Sequence, residues 1–153
     1  MLRVNSVAEY FLWLACKADH ELISNLKLQK LLYYAQGYYL ARHGRPLFDA
    51  ALEAWDHGPV VSDAYRTYKK FGREALPCPD TLQLHRYREK DTEIIEEVYE
   101  IYGQFSASTL RNMTHEEPPW IETKAGEVIR EDRLREVFLT RGGTRPVIVS
   151  ADS

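Results

Sequence analysis

Residues 25–44, NLKLQKLLYYAQGYYLARHG, and residues 45–72, RPLFDAALEAWDHGPVVSDAYRTYKKFG, decide the fold of this chain. Asn25 is a good helix cap, its side-chain oxygen able to accept from a free backbone N–H at a helix start. Leu28, Leu31, Leu32, Ala35, Tyr38 and Tyr39 follow at three- and four-residue spacing, which predicts a long helix with one wide apolar stripe. Gly44 ends it, where a left-handed residue costs least. Gly37 within the helix costs about 1 kcal/mol against alanine, so another backbone is expected to pack closely there.

Beyond Gly44 the period changes. Leu47-Phe48 and Leu52-Glu53-Ala54-Trp55 read as two short extended segments folding back on each other, although the alanines at 50 and 51 also allow a helical turn. Gly58-Pro59 breaks any regular element, and Ser62 or Asp63 caps a shorter helix through Tyr65, Tyr68 and Phe71 to Gly72. The order is long helix, small ribbon, short helix.

Outward from this stretch, Ser6 and Glu9 form a capping box for a first helix with Val7, Phe11, Leu14 and Ala18 on one face. Asp19-His20-Glu21 is a polar break, and Leu22-Ile23 a brief extended approach to the long helix. Residues 73–90, with Pro77-Cys78-Pro79, read as a surface loop. Asp91 caps a helix carrying Ile94, Ile95, Val98, Ile101 and Tyr102, and Gly103 ends it. Ser106 opens another through Leu110 and Met113, which Pro118-Pro119 stops. A last helix runs from about Arg130 to Gly142. Residues 145–149, RPVIV, suit either a frayed tail or an edge strand. The fold class is mainly α (α+β): a helical domain with a long central helix and a small two-stranded β ribbon.

A chain of 153 residues makes one ordinary domain, able to bury roughly 68–70% of its unfolded surface without a disulfide or metal. Twenty basic and twenty-three acidic residues are interspersed, giving a formal net charge of −3, so nothing draws the whole protein toward a polyanion and nucleic-acid binding is disfavoured. Cys16 and Cys78 lie far apart with no C-x-x-C, and the opening residues lack the apolar run of a signal peptide. A reducing cytoplasm fits best. No window approaches the ~20 apolar residues of a membrane span.

Chemistry finds little purchase. The five histidines form no H-E-x-x-H, no Cys/His cluster has zinc spacing, and there is no G-x-S-x-G or phosphate-binding glycine loop. Neither catalysis, nor a metal, nor a cofactor is expected. Two clusters stand out: Trp55-Asp56-His57-Gly58-Pro59-Val60 and Thr114-His115-Glu116-Glu117-Pro118-Pro119-Trp120. Each sets a large ring and an imidazole beside a proline-fixed turn, suited either to a core corner or to a rigid contact surface. Tyr33, Tyr34, Tyr38 and Tyr39 spread over too wide an arc for one buried stripe, so at least one is expected on the surface. Lys69, Lys70 and Arg73 cluster at a helix end, where they complement the dipole as a solvated cap.

In these residues the chain resembles the Panacea domain, the SocA-like antitoxin family, also known from prophages as GepA-type proteins. The matching pieces are Leu28 to Gly37; Pro46-Leu47-Phe48; Ala54-Trp55 and His57-Gly58-Pro59-Val60-Val61 with Tyr65; and Thr114-His115, Glu117 and Pro119-Trp120. The resemblance extends from near Ser6 to near Thr140, which suggests a domain over 1–142 and a tail over 143–153.

That resemblance implies a non-enzymatic antitoxin of a two-gene pair, neutralising a co-encoded toxin by direct protein contact. Some relatives instead hand a toxin to a protease. Many carry an N-terminal DNA-binding segment; this chain begins at the domain itself, so that function is expected to be absent. The partner-binding candidates are Tyr34, Tyr38, Trp55, His57, Tyr65, His115 and Trp120, with self-association left open. Two competing readings are a DNA-binding regulator, marked by steep salt dependence, and a small hydrolase using His57 or His115 as base.

Overall fold

Helix α2 (Asn25–His43) runs through the middle of the molecule, and fifteen of its nineteen residues are buried. A computed structural model describes residues 1–18 and 23–141. In chain order these form α1 (Val4–Lys17), α2, β1 (Leu52–Trp55), β2 (Gly58–Val61), α3 (Ser62–Tyr68), α4 (Glu89–Tyr102), α5 (Ala107–Thr114), α6 (Pro118–Ile121) and α7 (Glu131–Thr140). Single 3₁₀ turns follow α3 at Lys69–Phe71 and precede α4 at Leu84–Arg86. The mainly α architecture with one antiparallel two-stranded sheet is the one the sequence implied. Among the described residues no helix is long and apolar enough to cross a membrane.

Helices α1, α4, α5 and α7, together with β2, pack around α2. This corrects the expectation of an exposed tyrosine: Tyr33, Tyr34, Tyr38 and Tyr39 are all 0% exposed. A wide apolar arc leaves a residue outside only when one side faces water, and α2 has neighbours on every side. Gly37 also differs from its reading. A Cβ there would lie 2.6 Å from two carbons of the Phe138 ring, so the close neighbour is a side chain of α7, not a backbone.

The helix ends show where local signals compete. Ser24, not Asn25, caps α2, its hydroxyl accepting from Lys27 N, while Asn25 turns inward to donate to Tyr65 O. Gly44 closes the helix at φ 72°, as read. In α1 the cap is Arg3, and Ser6 sits buried inside the helix, so the capping box is not formed. Asp91 does not cap α4 but occupies its third position, accepting back from Arg88 N at 3.0 Å. Ser106 caps α5 by accepting from Thr109 N. That helix ends at Thr114, before the prolines, and Pro118-Pro119 begin α6, where their missing N–H groups cost nothing.

The ribbon forms with a different partner. β1 pairs with β2, Leu52 opposite Val61 and Ala54 opposite Pro59, whereas Phe48 bridges to Leu2. Pro59 is tolerated because Ala54 directs both its main-chain groups away from it, to Glu127 O at 3.0 Å and Gly126 N at 2.6 Å. Residues 126–129 thus flank the outer edge of β1.

Cys16 and Cys78, read as distant, are joined in a disulfide. Sequence separation carried no information about their spacing, and the pair lends no support to a reducing compartment. The bond fixes the loop after Gly72 to the end of α1; Leu76 N donating to Ile23 O at 2.8 Å fixes it again. The expected break at 19–21, the start of the extended approach at Leu22, the end at Gly142 and the strand-prone stretch at 145–149 lie outside the described residues.

Candidate protein-contact surface

The polar residues of α2 explain how the ribbon is held. Gln36 reaches the turn after the helix, accepting from Leu47 N (2.8 Å) and donating to Phe48 O (3.1 Å). Gln29 accepts from Val61 N at 2.9 Å, and Lys30, 0% exposed, donates to Pro59 O at 3.0 Å. Burial, and then the charge of Arg111, push the Lys30 ammonium down to about 7. Gly58 sits above it at φ 110°, where a Cβ would meet Thr114 Oγ1 at 2.7 Å and Lys30 Cε at 2.8 Å.

The two aromatic clusters meet at this turn. Trp120 Nε1 donates to Trp55 O at 2.7 Å, and His115 hydrogen-bonds Asp56 O at 2.9 Å. A carbonyl can only accept, so His115 carries its proton on Nε2. Burial holds its pKa below the ordinary histidine value, against the Asp56 bond, which favours the charged form. The imidazole stacks on the Trp120 indole at 4.2 Å, and Trp55 meets Tyr65 edge-on at 5.0 Å.

Beneath lies a buried carboxylate. Glu117 accepts from the hydroxyls of Tyr33 and Tyr34, each at 2.7 Å, and pairs with Arg141 at 3.0 Å. Burial first, and then Glu117, hold both phenols well above their ordinary pKa. Tyr34 stacks on Tyr102, whose hydroxyl is 2.8 Å from that of Tyr38.

Five of the seven candidates therefore gather in one region: Trp55, Tyr65, His115 and Trp120 half-buried, and His57 exposed. Tyr34 and Tyr38 are interior residues, their hydroxyls bonded inside the core, and present nothing to a partner in this structure. Sequence reasoning missed Glu117, Gln29, Lys30 and Gln36 as organisers. For the three on α2, the signal was long polar side chains at positions interleaved with its apolar stripe, which demand partners once buried. It also missed Ile121, which follows Trp120 and is 56% exposed. Among the described residues no group of His, Cys, Asp and Glu is placed to hold a metal.

Residues 28–121 match the family described as "Antitoxin SocA-like, Panacea domain". The chain belongs to that family. The match spans the central helix, the ribbon and the corner carrying Trp120, the same elements that the polar side chains of α2 tie together. A Panacea relative, "Antitoxin SocA" of Caulobacter vibrioides (strain NA1000 / CB15N), is 39% identical over 109 residues, covering 64% of this chain and 58% of that protein. The chain thus spans under two thirds of that relative's length. No solved structure matches this Panacea domain. The family's description and the relative's name are both those of an antitoxin.

Proposed function

We propose that this protein neutralises a co-encoded toxin by direct binding, through the face formed by Trp55, His57, Tyr65, His115, Trp120 and Ile121. The observation that carries this is the β1–β2 turn, clamped through its main chain by Trp120 and His115 while its own side chains face outward. Such a turn is fixed before any partner arrives, so little conformational entropy is lost on binding. Half-buried aromatic rings bury area with few rotamers frozen, and a standard interface needs roughly 800 Å² per partner. The family supplies the class of partner.

The test is co-expression of the tagged protein with the product of its neighbouring gene, scoring growth and copurification. Growth rescue with a stable complex is expected. Trp55→Ala/His57→Ala should weaken the complex about tenfold or more with the thermal midpoint near that of the wild type, since His57 is exposed and Trp55 only half-buried. Rescue without copurification would favour delivery to a protease or repression instead. A full-strength complex in the double variant would show that the face is wrongly chosen.

A further inference from the structure

A groove of about 700 Å³ opens beside the aromatic face, between the start of α2, the end of α3 and the start of α5. Tyr65 and His57 form the wall it shares with that face; Lys69 and Arg73 form another, and Ser106 and Ser108 a third. Acids outnumber bases in the whole chain by twenty-three to twenty, yet the described lining holds two cations and no carboxylate. The groove beside Lys27, of comparable size at about 750 Å³, mixes signs through Glu96 and Glu100. Lys69 and Arg73 are exposed, and among the described residues neither forms an ion pair, so their charge faces the groove. The tyrosine ring and the small side chain of Ala107 add apolar surface to the lining.

We propose that this groove receives a carboxylate-bearing segment of the protein partner. The inference rests on the partner-binding reading above and specifies the chemistry of what binds. Charge complementarity selects an acidic occupant, and continuity with the aromatic face through Tyr65 and His57 makes it part of the same partner. A nucleic acid fits less well. The turn and its flanks expose Asp56, Asp63 and Glu116, which would repel a polyanion extending beyond the groove but not a short acidic segment confined to it.

The experiment titrates the neighbouring gene's product against the full chain at about 50 and about 300 mM salt. Lys69→Glu/Arg73→Glu should weaken binding about tenfold or more at low salt, the deficit shrinking at high salt. Lys69→Arg/Arg73→Lys should stay within about twofold of the wild type, since it keeps both charges. Both positions are exposed, so circular dichroism and the melting midpoint should be unchanged. Charge reversal that leaves affinity within about twofold would overturn the inference while leaving the partner reading intact. Displacement of the partner by a single-stranded oligodeoxythymidine would overturn it in favour of a nucleic-acid site. Absence of any complex with the wild type would sink the partner reading itself, and this inference with it.

Discussion

Removing the Glu117 carboxylate should destabilise the fold more than its place in a loop-rich corner suggests. Glu117→Ala deprives two fully buried phenols, Tyr33 and Tyr34, of their acceptor. Each buried hydroxyl left unpaired costs about 1–3 kcal/mol. The lost pair with Arg141 adds less, under about 1 kcal/mol, because that side chain retains access to water. The sum is about 4 kcal/mol, a large part of the roughly 5–15 kcal/mol that holds a domain folded. In urea, with a slope of about 2 kcal/mol/M, the midpoint should fall by roughly 2 M. Glu117→Leu combined with Tyr33→Phe and Tyr34→Phe removes donors and acceptor together, and should recover to within about 1 kcal/mol of the wild type. A midpoint shift below about 0.5 M for Glu117→Ala, or a triple variant no better than the single one, would refute this account of the network.

Lys30 gives a pH signature. Its pKa is about 7 in the fold and ~10.4 in the unfolded chain. Between those values the unfolded state holds the extra proton, so stability rises with pH, by about 3 kcal/mol from pH 7 to 9.5. The buried tyrosines, shifted upward, reverse the trend only above ~10. Lys30→Met should flatten the rise in denaturant titrations; an identical slope in both proteins would exclude Lys30 as its source. Reducing the Cys16–Cys78 bond, which spans 62 positions, should lower stability by up to about 4 kcal/mol through chain entropy. Thermal melts with and without reductant check it, with Cys16→Ser/Cys78→Ser as the control that should not respond.

The features legible in the sequence are those set by near neighbours. Helix α2 and its Gly44 end, the Ser106 cap and the α4 and α7 stretches follow from periodicity and from backbone preferences within a few residues. The misread features depend on distant partners. Gly58-Pro59 signals a break, and becomes a strand only because Ala54 bonds outward to residues 126 and 127. The tyrosines look too widely spread to hide, and are hidden because Glu117 and Tyr102 bring hydrogen-bond partners to Tyr33, Tyr34 and Tyr38, and Arg88 brings one to Tyr39. Asn25 outranks nothing locally as a cap, but Ser24 takes that role once Tyr65 O draws the asparagine inward. At the candidate surface, proline and large rings marked Trp55 and Trp120 as corner residues. That the two corners are one, joined by an indole N–H to a carbonyl, required the fold.

The anchors of this corner have one property in common. Gln29, Lys30, Gln36, His115 and Trp120 all grip amide nitrogens or carbonyl oxygens of the segments they hold. Such atoms are the same whichever amino acid occupies the position, proline's nitrogen excepted. The mount is therefore indifferent to what is mounted. Positions such as 49, 56 and 57 can change identity while the loop that displays them keeps its shape. A lineage of such domains could be re-faced residue by residue, each face presented from the same frame and none of the changes reaching the core.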